Sequence, residues 1–226
     1  KRYYPNGNLA AQVLGFVGTD DKGLDGLEMV LDDELKGGIQ KELVATDRKG
    51  NAIFGSVLSK YLPDKGKSVT LTIDASIQFI AERALDKAME DTGAKHASVI
   101  VMDPKTGEIL AMANRPTYDP NHYSQGSEED FKNIAVTNLY EPGSTFKPII
   151  ASAALASGKW KLDQVYNDKG SFVANGHVMQ NWNGEGYGPV RLIDILKFSI
   201  NTGMAEIGTT TGADILSKYV RNYGFG

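Results

Sequence analysis

The clearest hydrophobic pattern in the chain follows Asp74 and is typical of an amphipathic helix. Aspartate commonly caps helix N-termini, and Gly93 is of a type that commonly ends helices. Between these two residues, apolar side chains recur at spacings of three and four, at Ile77, Ile80, Ala81, Ala84, Leu85, Ala88 and Met89. Because residues at these spacings share one side of a helix, we predict a helix that packs through this face.

Strand-like patterns lie on both sides of this helix. Residues 68–73 alternate between apolar and polar types, and residues 98–103 and 108–113 are rich in apolar side chains. The turn at 104–107 separates the last two segments, and Gly107 can adopt a positive φ there. We therefore expect a strand before the helix and an antiparallel hairpin after it.

The first part of the chain has a more irregular pattern. Residues 9–17 predict a strand, residues 26–38 a short helix ended by glycine, and residues 39–55 a hairpin. Turn-forming residues are then concentrated at 63–67.

We interpret residues 63–67 as a linker. The linker would separate a small module, residues 1–62, from a larger domain, residues 68–226.

The second half of the chain contains one helix that is apolar on most faces. Residues 141–158 begin a helix whose body is almost entirely small and apolar, which predicts that it is buried in the middle of its domain. Residues 170–189 predict short strands, and residues 190–199 and 213–224 predict helices. This mixture of strands and helices favours an α/β or α+β fold.

Composition excludes several classes of function. The net charge is -4, from 24 basic and 28 acidic residues that are mixed along the chain. No basic stripe can follow a phosphate backbone, so we expect no nucleic-acid partner. The chain has no cysteine, which excludes disulfides, thiolate metal sites and cysteine nucleophiles and suits an extracytoplasmic compartment.

Neither a metal site nor a membrane span is predicted. His96, His122 and His177 are scattered without zinc-ligand spacing, so we expect no metal and no organic cofactor. No run of about 18 apolar residues occurs. If the protein is exported or anchored, we expect the anchoring segment upstream of Lys1.

The strongest candidate chemistry is the pair Ser144 and Lys147. Pro142 and Gly143 form a turn, so Ser144 stands at the beginning of the apolar helix with Lys147 three residues later, on the same side. A serine hydroxyl becomes a good nucleophile when a base takes its proton, and burial can lower the pKa of a lysine enough for that role. The alternative is a helix-capping serine beside a surface lysine, which is the commoner origin of such a spacing.

A second candidate pair is Ser199 and Asn201, in a predicted turn between two helices. The hydroxyl can relay a proton toward a leaving group, and the amide can hold both Lys147 and a substrate amide. The alternative is that this segment supplies the N-cap of a helix that begins near Thr202.

Other polar and aromatic residues have weaker claims. Asp163, Asp168 and Glu185 have no evident partner in the sequence. For Trp160, Trp182 and Tyr187 we expect core packing, with a groove near the site as the alternative.

Two motifs together resemble a known family. The segments EPGSTFKP, at 141–148, and FSINTG, at 198–203, are similar to the first and second active-site motifs of class B penicillin-binding proteins, the group that acts in cell division, elongation and sporulation. The resemblance extends to the segments before them, where residues 2–37 resemble the pedestal, or dimerisation, region and residues 70–121 resemble the start of the transpeptidase domain. It implies a penicilloyl-serine-transferase fold of the α+β type, with a five-stranded antiparallel sheet covered by helices and a buried central helix.

The resemblance also implies an activity. Ser144 would attack the D-Ala–D-Ala carbonyl of a peptidoglycan stem peptide with Lys147 as its base, and β-lactams would acylate the same serine. Expected partners are divisome or elongation-complex proteins, at the extracytoplasmic face of the cell membrane. The alternatives are a D,D-carboxypeptidase, a β-lactamase, or a catalytically silent β-lactam-binding scaffold or sensor.

The third motif of the family is not expected among these residues. Lys105-Thr106-Gly107 has the family's letters, but it precedes Ser144 and lies at a predicted hairpin tip, so we interpret it as a turn. The true third motif is expected after Gly226, in the same or a second polypeptide. We therefore expect the 226-residue chain to be incomplete at its C-terminus and inactive alone.

Overall fold

The computed structural model describes residues 2–37, 41–61 and 65–226. The chain divides into two compact units, Lys1–Leu139 and Tyr140–Gly226. The first two residues of the predicted 63–67 linker lie outside the described residues, as do Ile39 and Gln40 of the predicted hairpin.

The first unit begins with short helices followed by a hairpin. Its first elements are helices α1 (Ala11–Leu14), α2 (Gly26–Val30) and α3 (Asp32–Leu35) and strands β1 (Lys41–Thr46) and β2 (Ala52–Tyr61). β1 and β2 pair antiparallel, which confirms the predicted hairpin.

The predicted helix at 26–38 is present as two shorter helices, whereas the predicted strand at 9–17 is wrong. Helix α1 forms there because burial and hydrogen bonds to distant residues stabilise it. Ala11 is fully buried and accepts a hydrogen bond from Tyr118 Oη at 3.1 Å. The Gln12 side chain donates to the backbone oxygens of Pro116 and Asp130, both at 2.9 Å.

The long helix predicted after Asp74 is confirmed as α4 (Ala75–Thr92). Asp74 Oδ1 accepts hydrogen bonds from the amides of Ser76 and Ile77, and Gly93 ends the helix with a φ of 66°. Residues 68–73 do not form the predicted strand. Thr72 Oγ1 and Asp74 N instead donate to the carbonyls of Ile109 and Leu110.

The buried face of α4 only partly follows the apolar pattern. Ala81 and Leu85 are buried as predicted, but Ile80 is 65% exposed, whereas Gln78 and Glu82 are buried. These two polar side chains bond to main-chain groups: Gln78 to both N and O of Met112, and Glu82 to the amide of Ala10. The apolar pattern failed here because some positions on the buried face of α4 are occupied by polar side chains that hydrogen-bond to the main chain.

The predicted hairpin at 98–113 is confirmed. Strands β3 (Ala97–Met102) and β4 (Ile109–Arg115) pair antiparallel, and Gly107 has a φ of 79° in the turn. A 3₁₀ turn (Pro120–Gln125) and helices α5 (Glu128–Phe131) and α6 (Ile134–Thr137) complete the unit.

The second unit is a set of helices and short hairpin strands around one core. Its elements are a 3₁₀ turn (Gly143–Phe146), α7 (Lys147–Ala156), β5 (Val165–Asp168), β6 (Ser171–Ala174), β7 (His177–Gln180), β8 (Gly188–Arg191), α8 (Leu192–Lys197), α9 (Asn201–Thr211) and α10 (Ala213–Asn222). β5 pairs with β8 and β6 with β7, both antiparallel. The core consists of Ala151, Ala154, Trp160, Val190, Leu192, Ile195, Ile200, Met204 and Ile207.

Helix α7 packs into this core, as predicted for the apolar helix. Trp160 is also buried, at 3% exposure, and Tyr187 packs against the core while its ring stacks on Phe198. For Trp182 the core prediction is wrong, because this side chain is 76% exposed in the loop after β7.

These elements confirm the α+β class. Each of the four sheets in the part of the chain that the structure describes has two strands, so the five-stranded sheet that the resemblance implies is not assembled by these residues. None of the described helices combines the length and the apolar character that a membrane span requires.

Candidate active site

Ser144 lies in a tight turn that leads directly into α7. Gly143 has a φ of 57°, a left-handed conformation that disfavours a side chain, and the 3₁₀ turn Gly143–Phe146 then runs into the helix. The sequence prediction that Ser144 stands at the beginning of the apolar helix is confirmed. The serine therefore lies at the positive end of the aligned helix dipoles, where negative charge is favoured.

Lys147 is the first residue of α7, and its amine points into the protein. The side chain is buried, with 9% of the residue exposed. Nζ donates to Ser199 O at 2.7 Å, to Ser199 Oγ at 2.9 Å and to Asn201 Oδ1 at 2.7 Å. These acceptors match the three donors of an ammonium group. Burial lowers the pKa of the Lys147 amine below the ordinary lysine value, so the neutral form is more accessible than in water.

Ser199 connects the two halves of the site. Its hydroxyl accepts from Lys147 Nζ and donates to Ser144 Oγ at 2.8 Å. The sequence predicted that the Lys147 amine would lie beside the Ser144 hydroxyl and act as its base. In the structure, the hydrogen-bonded connection between these two side chains runs through Ser199 Oγ.

The backbone at Ser199 adopts a conformation that is uncommon outside glycine. Its φ is 55°, in the turn between α8 and α9, and the next residue, Ile200, is fully buried in the core. A left-handed non-glycine residue costs on the order of 1–3 kcal/mol, which the surrounding structure must offset. This backbone geometry turns both the carbonyl oxygen and the hydroxyl of Ser199 toward the same amine.

Asn201 holds the amine from the other side. Its Oδ1 accepts from Lys147, while its Nδ2 donates to Gln180 O at 3.1 Å, at the end of β7. The prediction that this amide would hold the lysine is confirmed in its geometry. The alternative, in which this segment caps the following helix through a polar side chain, is wrong, because the N-cap of α9 is Ile200 and the Ser199 hydroxyl bonds to Ser144.

A groove opens beside the serine within the second unit. Its volume is about 710 Å³, and its walls include Phe146, Ile150, Met179 and Met204 next to Ser144. An apolar groove with a few convergent polar groups is the usual form of a site for a small ligand.

Two residues at or beside the site were not predicted from the sequence. Gln180 acts through its backbone oxygen, which leaves no signal in the sequence. Asp168 was predicted to have no evident partner, and this is wrong: it is 2% exposed and bonds to Thr202 and Asn181. Asn181 and Thr202 lie 13 and 34 positions from Asp168, so only the fold brings these side chains together.

The remaining sequence candidates lie in other settings. Lys105 is exposed at the β3–β4 hairpin tip, where its amide donates to Asp103 Oδ1 at 2.7 Å, as expected of a turn residue. His122 bonds to Asp119 at 3.0 Å, and His96 lies 3.7 Å from Glu129. Within the described ranges, no three His, Cys, Asp or Glu side chains are grouped as a metal ion would require.

Comparison with known proteins decides the family. The family described as penicillin binding protein transpeptidase domain matches residues 97–226. The chain belongs to this family. The penicillin-binding protein dimerisation domain matches residues 1–71, and this second match confirms the resemblance to class B penicillin-binding proteins.

Two curated relatives cover the chain from end to end. Stage V sporulation protein D of Bacillus subtilis is 38% identical over 228 residues, which make up 100% of this chain and 35% of that protein. Peptidoglycan D,D-transpeptidase FtsI of Escherichia coli is 31% identical over 226 residues, or 100% of this chain and 38% of that protein. The chain thus spans between 35% and 38% of the length of these two relatives.

Solved structures of similar proteins have the same fold. A peptidoglycan synthetase from Bifidobacterium adolescentis superposes with a TM-score of 0.83 at 27% identity, covering 99% of this chain and 40% of that one. Penicillin binding protein 2X from Streptococcus thermophilus gives a TM-score of 0.80 at 29% identity, covering 99% of this chain and 35% of that one. These likenesses confirm the predicted penicillin-binding fold.

Proposed function

We propose that the protein to which this chain belongs is a peptidoglycan D,D-transpeptidase that works through an acyl-enzyme on Ser144. One observation carries the proposal: a continuous chain of hydrogen bonds runs from Ser144 Oγ through Ser199 Oγ to the buried amine of Lys147. Such a chain links a nucleophile to a base, which is the arrangement that serine acyl transfer requires.

Acylation follows from this chain with Lys147 in its neutral form. The hydroxyl hydrogens reverse their direction, so that Ser144 donates to Ser199 and Ser199 donates to Lys147. As Ser144 Oγ attacks the carbonyl carbon of the penultimate D-alanine, one proton moves along this path to the amine. The peptide C–N bond then breaks, the departing D-alanine nitrogen takes a proton back, and an ester on Ser144 remains.

The second half of the reaction returns the enzyme to its initial state. An amine of a neighbouring stem peptide attacks the ester carbonyl and loses a proton to the same path. The ester C–O bond breaks, and Ser144 regains its hydrogen. In both halves, the position of Ser144 at the positive end of α7 favours the negative charge that develops on the carbonyl oxygen.

We assign the same segments as in the sequence prediction: residues 1–62 as the end of the pedestal, 63–67 as a linker, and 68–226 as the first part of the transpeptidase domain. The matches to the dimerisation family at 1–71 and to the transpeptidase family at 97–226 support this division. The proposed setting is the extracytoplasmic face of the membrane, with a membrane anchor and with divisome or elongation-complex proteins as partners. A stem-peptide substrate outside the cytoplasm and the absence of cysteine are both consistent with that setting.

Labelling of the full-length protein with a fluorescent penicillin tests the proposal. We expect a stable adduct on the peptide that contains Ser144, located by mass spectrometry, and no adduct in Ser144→Ala. Ser157→Ala is a matched control in the same unit, because it removes a hydroxyl that donates to Ala154 O, at 3.2 Å.

Other outcomes select the alternatives. Rapid turnover of the drug would indicate a β-lactamase, and no adduct would indicate a silent scaffold. Incubation with a D-Ala–D-Ala peptide and a D-amino acid then separates two outcomes. Transfer of the acyl group to the amine of the D-amino acid would indicate a transpeptidase, and simple hydrolysis would indicate a carboxypeptidase.

A further inference from the structure

A buried carboxylate lies beside the turn that carries Ser199 and Asn201. Asp168 is the last residue of β5 and is 2% exposed. Its Oδ1 accepts from Thr202 Oγ1 at 2.6 Å and from the amide of Gly170 at 3.0 Å. Its Oδ2 accepts from Asn181 Nδ2 at 2.7 Å and from the amide of Tyr187 at 2.9 Å. The carboxylate is therefore compensated by four donors rather than by a cation.

The ionised form of Asp168 is the one that these donors require. Burial acts to raise the pKa of this carboxyl, but its hydrogen bonds with Thr202, Gly170, Tyr187 and Asn181 outweigh burial and lower the pKa below the usual range. At neutral pH the group is an acceptor on both oxygens. A protonated carboxyl or an amide at this position would place a donor against another donor.

Asn181 extends this network to the backbone of α9. Its Oδ1 accepts from the amide of Thr202 at 3.3 Å, and its Nδ2 donates to Asp168 and to Glu185 O at 2.8 Å. Asn181 follows Gln180, whose carbonyl holds the Asn201 side chain. The contact between Gln180 and Asn201 is thus flanked by two residues of this network: Asn181, which follows Gln180, and Thr202, which follows Asn201.

Thr202 is the point at which the network meets the site. It directly follows Asn201, it is fully buried, and its hydroxyl and amide are both engaged. On the other side of Asn201, Ile200 is fixed in the core. The left-handed Ser199 is therefore followed by two anchored residues, one held by apolar packing and one by the Asp168 network.

We propose that Asp168 is a positioning residue for the acylation step. Through Thr202 and Asn181, it holds Asn201 Oδ1 and the Ser199 turn in contact with the Lys147 amine, and so keeps the path between Ser144 and Lys147 continuous. This inference rests on the proposed function for its kinetic consequence. The expected geometry, in which the network keeps Asn201 Oδ1 in contact with Lys147 Nζ, does not depend on the activity.

The variant pair Thr202→Val and Thr202→Ser tests the role of the network in the full-length protein. Valine keeps the branched shape and removes the hydroxyl, whereas serine keeps the hydroxyl. We expect the rate constant for acylation of Ser144 by a fluorescent penicillin to fall about ten- to hundred-fold in Thr202→Val, the range for a displaced catalytic geometry, and to stay close to wild type in Thr202→Ser. Asp168→Asn, which places an amide against two donors, should reduce the rate at least as much.

A purely structural role predicts a different result. A loss of folded protein lowers the labelled fraction at the end of the reaction and leaves the rate constant of the remaining protein unchanged. Ile207→Val serves as the control, because it removes a methyl group from the core of the same helix without touching the network. If Thr202→Val behaves like Ile207→Val, with reduced amplitude and an unchanged rate constant, the inference is wrong.

A crystal structure of Thr202→Val tests the inference independently of any activity. The 2.7 Å contact between Lys147 Nζ and Asn201 Oδ1 is expected to lengthen beyond hydrogen-bonding distance. Retention of this contact, together with a left-handed Ser199, would overturn the positioning role even if wild-type protein formed no penicillin adduct. Absence of an adduct in wild type, by contrast, would overturn the proposed function and leave the structural result to decide the role of Asp168.

Discussion

Ser199 Oγ lies 2.8 Å from Ser144 Oγ, so the second motif contacts the proposed nucleophile of the first directly. The same oxygen accepts from the Lys147 amine at 2.9 Å. A single hydroxyl therefore connects the Lys147 amine to the Ser144 hydroxyl. This geometry makes Ser199 the residue whose side chain most directly tests the proposed proton path.

Ser199→Ala should interrupt that path without moving the backbone. The alanine keeps the carbonyl oxygen that accepts from Lys147, but it has no hydroxyl to pass a proton from Ser144. We expect the acylation rate constant to fall by about 10²–10⁴-fold, the usual contribution of general acid–base catalysis. Stopped-flow labelling with a fluorescent penicillin measures this change. An unchanged rate would show that Ser144 loses its proton by another route.

The pH dependence of the acylation rate should follow the protonation state of the buried Lys147 amine. Burial lowers the pKa of Lys147 below the ordinary lysine value of 10.5, and only the neutral amine can accept a proton. The rate should therefore rise with pH, with its midpoint below that ordinary value. Rate constants measured across the pH range on wild-type protein give the midpoint directly. A midpoint at the value of a solvated lysine would contradict this prediction.

Lys147→Arg should remove this pH dependence together with most of the activity. A guanidinium stays protonated at all accessible pH values and cannot act as the base. Lys161→Arg makes the same exchange at an exposed position in the second unit and should leave the rate and its midpoint unchanged.

The same lowered pKa has a consequence for stability. Between the folded-state pKa of Lys147 and 10.5, the unfolded chain binds more protons than the folded chain, so this residue's contribution to stability increases as pH rises through that window. Lys147→Met should abolish this contribution to the pH slope. Urea unfolding at several pH values checks it, with the slope of the Lys161→Met variant expected to match wild type.

Alanine substitutions at two glycines in α9 should change the stability of the protein in opposite directions. A Cβ at Gly203 would meet Ile195 Cδ1 and Cγ1 at 2.7 and 2.8 Å, whereas a Cβ at Gly208 has its nearest neighbours at 4.0 Å. Gly203→Ala should destabilise the protein by about 1–3 kcal/mol through overpacking, because Ile195 is fully buried. Gly208→Ala should stabilise it by up to about 1 kcal/mol through helix propensity. Melting temperatures should shift in opposite directions, and equal shifts would contradict the packing around Gly203.

The cap of α4 should contribute measurably to the first unit. Asp74→Ala removes the acceptor of the Ser76 and Ile77 amides and should cost about 0.5–2 kcal/mol, whereas Asp74→Ser should recover most of it. Asp91→Ala is a control on the same helix, because its partner Lys87 is exposed and such a pair contributes little. Chemical unfolding measures all three, and an equal loss for Asp74→Ser and Asp74→Ala would argue against the cap.

Much of the site was predictable because its residues lie in short, local patterns. The spacing of Ser144 and Lys147 and the turn at Ser199–Asn201 depend on helix geometry and turn chemistry, which act over a few residues. The relay through Ser199 was not predictable in the same way. It depends on a left-handed φ of 55° at a non-glycine residue, and the sequence there gives no sign of that conformation.

Long-range polar contacts explain the main failures. Asp168 appeared isolated because its donors include Thr202 in α9 and Asn181 and Tyr187 in the loop between β7 and β8. Residues 9–17 appeared to be a strand because their hydrogen bonds with distant residues, from Gln12 to Pro116 O and from Tyr118 to Ala11 O, are invisible to a local pattern. In α4, the same kind of contact buried Gln78 and left Ile80 exposed.

The backbone oxygen of Ser199 has a consequence for how this site can change by mutation. One of the three acceptors of the Lys147 amine belongs to the peptide chain, so every amino acid at position 199 would supply it provided that the turn is kept. Replacement of the side chain alone cannot fully release the amine. A substitution at position 199 must therefore first preserve the left-handed turn of the main chain, and only then does the chemistry of the new side chain matter.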